Sequence, residues 1–425
     1  MSMDTPWSVK NSKERHVKSL DRIEHNADDV KSVFTTTFTT AGVKSRESTI
    51  KSPVAGALIS VKDLFDVEGM VTRAGTRFME NDEPAGSDAI PIKQLKDAGA
   101  ILLGHTNMTE LAYSGLGINP HYGTPANALQ AECIPGGSTA GGAVSVALGL
   151  ADIAIGTDTG GSLRIPAAFN GIVGFKPSQV SVSRQGCKTL SGSLDSVGPM
   201  AGNVQACRLA FDAMRRFTSE TKTLSKPTFL IPDNFGTDDM DSITKKGFYA
   251  AVDILSNAGF DIQTRSIPVL NGVKELAVWQ FAAVESRAEY EYAFDKHFKQ
   301  MDPRVSSRIA RADSVSALSF CKNLNERKRL IDQYRYEESG CVILMPTTPV
   351  VAPKLADLLD DDEAYFSTNA LVLRNPSVAN ILDGCSISLP FKHESHSIGV
   401  MLTAQAYHDD ALLALAQQVE SALVH

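Results

Sequence analysis

The chain has 425 residues, 43% of them hydrophobic and 21% charged, enough for a large buried core and ordinary for a globular enzyme. The net charge is -8 with Lys and Arg scattered, which argues against a nucleic-acid-binding surface, and no run of about 18 apolar residues marks a membrane helix. Met1 to Leu20 is polar, without a signal-peptide stretch. Cys133, Cys187, Cys207, Cys321, Cys341 and Cys385 are far apart with no C-x-x-C pair, so they read as reduced thiols of a cytoplasmic protein.

Residues 1 to about 50 are polar, with helical tendency near Lys10 to Val33, and are expected to pack as a helical segment on the main body. From Val54 strand and helix patterns alternate. Ala57 to Val61 reads as a strand that delivers Lys62 at its end. Ser87-Asp88 can cap a helix carrying Ile92, Leu95 and Ala98 and stopping near Gly99, and Ala100 to Gly104 is a short buried strand. Ala140 to Leu150 suits a buried helix, and Ile153 to Ile155 a further strand. Beyond Gly202 the helices lengthen: Asn203 to Arg216, Asp241 to Gly259, and Val273 to about Lys299. Strands follow at Cys341 to Met345, Ser386 to Leu389 and Gly399 to Leu402, and Tyr407 to Leu423 closes the chain as an amphipathic helix. The alternation predicts an α/β fold on one large mixed, mostly parallel β-sheet with helices on both faces.

Two glycine-rich segments hold the chemistry. Ser138 lies in Gly136-Gly-Ser-Thr-Ala-Gly-Gly142 and Ser162 in Gly156-Thr-Asp-Thr-Gly-Gly-Ser-Leu-Arg-Ile-Pro166, with no histidine between them. A serine held in such a loop is a candidate nucleophile. Without a histidine, a lysine is the known substitute base. A lysine accepts a proton only when neutral, so its ordinary pKa of about 10.4 must fall through burial. Lys62 follows an apolar strand, so a desolvated position is expected for it, and a hydroxyl standing between base and nucleophile can relay the proton.

These segments resemble the amidase signature family. The resemblance also takes in Gly171-Ile-Val-Gly-Phe-Lys-Pro177, Gly56-Ala-Leu-Ile-Ser-Val-Lys-Asp63, Ser193-Leu-Asp-Ser-Val-Gly-Pro199 and Met345-Pro-Thr-Thr-Pro349. It is dense from about 53 to 202 and thinner beyond. It implies the amidase signature fold over 51–425: a catalytic core at about 53–202, a helical layer at about 203–335, and C-terminal strands and helix at 336–425. It also implies Ser162 as nucleophile, Ser138 as bridging serine in a cis peptide with Gly137, and Lys62 as general base. No metal or organic cofactor is implied.

Attack on an amide carbonyl creates an oxyanion that needs preorganised N–H donors. The backbone amides of Thr159, Gly160, Gly161 and Ser162 can supply them. Asp158 and Arg164 flank the nucleophile. Arg164 could recognise a substrate carboxylate, or both residues could brace the loop; bracing is favoured. Thr139 replaces a serine common at this point in the family and retains a hydroxyl. Met108 to Asn127 either contributes substrate contacts or packs as an ordinary loop, and Arg374 to Asn380 could also face the pocket.

Several readings fall away. No Gly-Lys-Ser/Thr follows Gly136, so a phosphate-binding loop is excluded, and Gly-x-Ser-x-Gly is missing at both serines. His393-Glu-Ser-His396 reads as a surface loop rather than a metal site, and Asp360-Asp-Asp-Glu363 as a solvated acidic loop. The expected function is hydrolysis of a small or medium carboxamide to acid and ammonia or amine through an acyl-enzyme. The partners expected are a small-molecule amide substrate, no nucleic acid, no membrane, and a homodimer in keeping with such enzymes. The alternatives are the glutamine-hydrolysing A subunit of a tRNA-dependent amidotransferase and a non-catalytic binder on the same scaffold.

Overall fold

The computed structural model describes residues 7–25, 28–38, 52–216, 224 and 227–424. Residues 1–6, 26, 27 and 39–50 of the expected N-terminal segment lie outside the described residues. Eleven strands form one sheet: β1 Phe34–Thr37, β2 Leu58–Lys62, β3 Ile101–Thr106, β4 Ile153–Asp158, β5 Val173–Lys176, β6 Ser196–Ala201, β7 Phe229–Pro232, β8 Ile262–Arg265, β9 Val342–Pro346, β10 Cys385–His393 and β11 His396–Ala404. Their spatial order is β1-β3-β2-β4-β6-β5-β10-β11-β9-β7-β8.

Both faces of the sheet are covered, and the strands show why. In β2, Ile59 and Val61 enter one core cluster while Leu58 enters another; in β4, Ile153 and Ile155 separate from Ala154 in the same way. Successive side chains of a strand point to opposite faces, so a strand buried on both sides reads as an unbroken apolar run. The helices Ile90–Asp97, Val204–Met214, Ser242–Asn257 and Asp409–Val424 contribute to the first cluster through residues such as Leu95, Leu209, Leu255 and Leu412. The helices Val9–Glu24, Ala140–Ala147 and Arg164–Asn170 contribute to the second through Leu20, Ala143 and Ala167.

The sheet is mixed, as expected, but less parallel than the alternation suggested. Parallel pairing joins β3 to β2, β2 to β4, β9 to β7 and β7 to β8. The whole centre, from β4 through β6, β5, β10 and β11 to β9, is antiparallel. Parallel neighbours need a long crossover, whereas antiparallel ones can be joined by a tight turn. The segment 177–195 contains no helix and brings β6 back between β4 and β5. His393 and His396 pair as the last rung of the β10–β11 hairpin, with Glu394 at φ 52 in its turn.

Three other expectations change. The helix expected from Val273 to about Lys299 is three: Val269–Glu275, Trp279–Glu289 and Glu291–His297. The first break falls at Leu276, whose backbone turns extended as its side chain enters the core. Residues 34–37, inside the segment expected to be helical, join the sheet edge as β1 beside β3. The acidic run is not merely a solvated loop. The Asp361 side chain accepts the Ala364 N–H at 2.9 Å and so caps the helix Asp362–Ile381, with Asp362 and Glu363 in its first turn.

Candidate active site

Lys62 ends β2, a strand buried at all five positions. Its Nζ donates to Ser138 Oγ at 2.8 Å and to Thr157 Oγ1 at 2.9 Å. Burial pushes the Lys62 pKa down to about 7, against the opposing pull of Asp195 and Asp158. A fraction of the amine near neutral pH is therefore uncharged.

Ser138 stands before the helix Ala140–Ala147, and the Gly137–Ser138 peptide is cis. A Cβ on Gly137 would lie 2.6 Å from Gly117 N and 2.9 Å from Thr109 Oγ1, so the backbone here packs too closely for any side chain. The Thr139 N–H donates to the Ser162 carbonyl at 3.3 Å and ties the two glycine-rich segments together. The Thr139 hydroxyl itself is buried without a partner. Ser162 borders a cavity of about 960 Å³. Lys62 and Ser138 are thus joined directly, and Ser162 is held next to them through the backbone. Among the described residues no hydrogen bond links the two serine hydroxyls; such contacts commonly tighten only with substrate bound.

Asp158 organises the turn around Ser162. It accepts the N–H groups of Gly161 at 2.9 Å and Leu163 at 3.1 Å. It also accepts Arg164 Nη2 at 2.8 Å and Asn380 Nδ2 at 3.0 Å. Burial alone would raise its pKa, but Arg164, Lys176 and the Leu163 N–H outweigh it and hold the carboxyl below its usual range. Arg164 is fully buried and also reaches Asn380 Oδ1 at 2.8 Å and Ser386 Oγ at 3.3 Å. It does not line the cavity. Of the four backbone amides expected to face an oxyanion, that of Gly161 is already engaged by Asp158. The amides of Thr159, Gly160 and Ser162 remain as candidates.

Several residues at the site escaped the sequence reading. Thr157 looks like any β-branched strand residue, and only the pairing of β2 with β4 brings it to Lys62. Asp195 lies in the segment Ser193 to Pro199, where the residue types alone give it no role. Its carboxylate accepts Thr159 Oγ1 at 2.6 Å and the N–H groups of Leu190 at 2.9 Å and Ser191 at 3.1 Å. Burial pushes Asp195 up to about 6 despite those bonds. The helix Asp362–Ile381 backs the turn that carries Ser162: Asn380 Nδ2 donates to the Asp158 carbonyl at 2.9 Å, and Ser377 Oγ, which donates to the Leu373 carbonyl at 2.6 Å, lies 3.3 Å from the Gly160 carbonyl oxygen. From the Met108 to Asn127 loop, Ala112, Tyr113 and Ser114 border the cavity.

Among the described residues no group of three or more His, Cys, Asp or Glu side chains is placed to hold a metal ion, and no helix is long and apolar enough to cross a membrane.

The Amidase family profile matches residues 17–413, and the chain belongs to that family. It is a hydrolase of carbon–nitrogen bonds. It is similar to 2-amino-5-chloromuconic acid deaminase of Comamonas testosteroni, with 30% identity over 391 residues, 87% of this chain and 82% of the relative. It is 27% identical over 479 residues to the A subunit of glutamyl-tRNA(Gln) amidotransferase from Natranaerobius thermophilus (strain ATCC BAA-1301 / DSM 18059 / JW/NM-WN-LF), covering 97% and 92% of the two chains. A crystal structure of an amidase superimposes with a TM-score of 0.86 at 28% identity, covering 98% of each chain.

Proposed function

We propose that the protein hydrolyses a small or medium carboxamide through an acyl-enzyme on Ser162. The observation that carries this reading is the buried contact of Lys62 Nζ with Ser138 Oγ at 2.8 Å, beside a loop that presents Ser162 to the cavity. Neutral Lys62 takes the Ser138 proton, Ser138 takes the Ser162 proton, and Ser162 Oγ bonds to the carbonyl carbon. The oxyanion is met by the amides of Thr159, Gly160 and Ser162, each worth about 3 kcal/mol in such sites. Ser138 then gives a proton, resupplied by protonated Lys62, directly to the departing nitrogen, which leaves as ammonia or amine as its bond to the carbon breaks. Water then attacks the ester, with Lys62 again the base.

Asp158 and Arg164 support the loop rather than the substrate in this scheme, because their polar atoms are engaged with one another and with Asn380. Ser162→Ala should abolish ammonia release from every amide in a panel while circular dichroism and melting temperature stay near those of the parent. Full retained activity would remove Ser162 from the mechanism.

A second reading, the glutamine-hydrolysing A subunit of a tRNA-dependent amidotransferase, is favoured by the similarity to the Natranaerobius thermophilus protein across nearly the whole chain. Glutaminase activity that appears only with co-purifying partner proteins would select it.

A further inference from the structure

The cavity beside Ser162 has a charge pattern that the hydrolytic scheme does not use. Of the residues lining it, Lys274, Arg308, Arg311 and Arg374 are cationic and only Asp238 is acidic. Arg374 is neutralised, with Asp239 at 3.1 Å and Asp238 at 3.4 Å. Arg304 and Arg287, on the same or a packed helix, are likewise paired, with Asp362 and Asp295.

Arg308 and Arg311 are different. They stand one turn apart where the helix Pro303–Ala310 runs into a short 3₁₀ turn, and neither pairs with a carboxylate among the described residues. Arg308 gives its Nε–H to the Arg304 carbonyl at 2.9 Å, but its Nη2 is buried with no hydrogen-bond partner. The Asp302 carboxylate accepts the Arg304 N–H instead. The guanidinium of Arg308 rests 4.7 Å from the Tyr113 ring centroid, and that of Arg311 3.8 Å from the Trp279 ring centroid. Ring faces hold a cation in place but do not satisfy its N–H donors. Leaving the buried Nη2 of Arg308 without a partner is costly, while the exposed Arg311 adds a second cation to the cavity lining.

We propose that Arg308, assisted by Arg311, binds a carboxylate of the substrate, so that the amide hydrolysed at Ser162 belongs to a molecule carrying a free carboxylate elsewhere. A planar guanidinium fork matches a carboxylate in two parallel hydrogen bonds. Much of the remaining lining, including Leu190, Leu194, Phe235, Trp279 and Ile381, is apolar. The ligand class is therefore a monoamide with a hydrocarbon or aromatic spacer between its amide and its carboxylate. This proposal rests on the amidase reading above and deepens it.

The test uses the purified full chain and two matched pairs: adipic acid monoamide against hexanamide, and terephthalic acid monoamide against 4-methylbenzamide. The parent should favour the anionic member of a pair at least tenfold in kcat/KM. Arg308→Met should reduce that ratio at least tenfold, mainly through KM, with Arg308→Lys intermediate and Arg311→Gln smaller in effect. Neutral amides hydrolysed as well as anionic ones, or a ratio unmoved by Arg308→Met, overturns the carboxylate site and leaves the amidase reading standing. Hydrolysis of no amide at all sinks the amidase reading. Calorimetry of adipate with the Ser162→Ala protein then decides the carboxylate site: binding weakened at least tenfold by Arg308→Met supports it, and equal or undetectable binding overturns it.

Discussion

At Lys62 a single physical effect, burial, underlies both the proposed role as base and the pH response expected from it. Removal from water favours the uncharged amine, and the hydroxyls of Ser138 and Thr157 accept its N–H bonds without supplying a counter-charge. With the pKa near 7, the neutral fraction and hence kcat/KM should rise about tenfold between pH 6 and pH 8, then level off. A profile flat from pH 6 to 9 would remove Lys62 from the role of base. Lys62→Ala should cost several orders of magnitude in kcat, read by ammonia release. The position of Lys62 and the two serines was legible because glycines crowd around Ser138 and Ser162 and a short apolar strand precedes Lys62. Thr157 was not, since its neighbour in space is 95 residues away in the chain and its residue type is common in strands.

The helix Asp362–Ile381 is the element whose importance the sequence concealed. Its residues Pro376, Ser377 and Asn380 close on the turn that carries Ser162. A Cβ added to Gly161, whose φ is 131°, would come 2.6 Å from Pro376 Cγ and 2.7 Å from Ile165 Cδ1. Gly161→Ala should therefore lower both the melting temperature and kcat, because neither the backbone angle nor the space admits a methyl group. Asn380 bonds to the Asp158 carbonyl and carboxylate and accepts from Arg164. Asn380→Leu should destabilise the fold by about 1–3 kcal/mol in urea titration, the usual cost of stranding buried polar partners. It should also lower kcat, since Asp158 fixes the turn that carries Ser162. Pro376 inside the helix and an acidic start obscured this element: both look like loop signals until Asp361 is seen to cap its first turn.

Across the molecule, the strand–helix alternation of the first half read correctly as α/β because the doubly buried strands β2 and β4 are mostly apolar. The antiparallel centre was not legible, because strand order depends on where segment 177–195 leads the chain, and that is decided by packing. The large core also supports a costly group. A lysine whose pKa is lowered on folding opposes stability most at and below its folded value, and the penalty fades as pH rises toward its unfolded value. The melting temperature of Lys62→Met relative to the parent should accordingly be highest at pH 6 and decline toward pH 9; a pH-independent difference would contradict the assigned protonation. The helix Asp362–Ile381 divides the labour of adaptation along its length. Phe366, Ala370 and Leu373 look onto the cavity, while Tyr365, Val372 and Asn375 are sealed in the interior. A directed-evolution library restricted to the first three positions would sample new acyl groups with the reacting centre untouched, whereas randomising the latter three would mostly yield protein that does not fold.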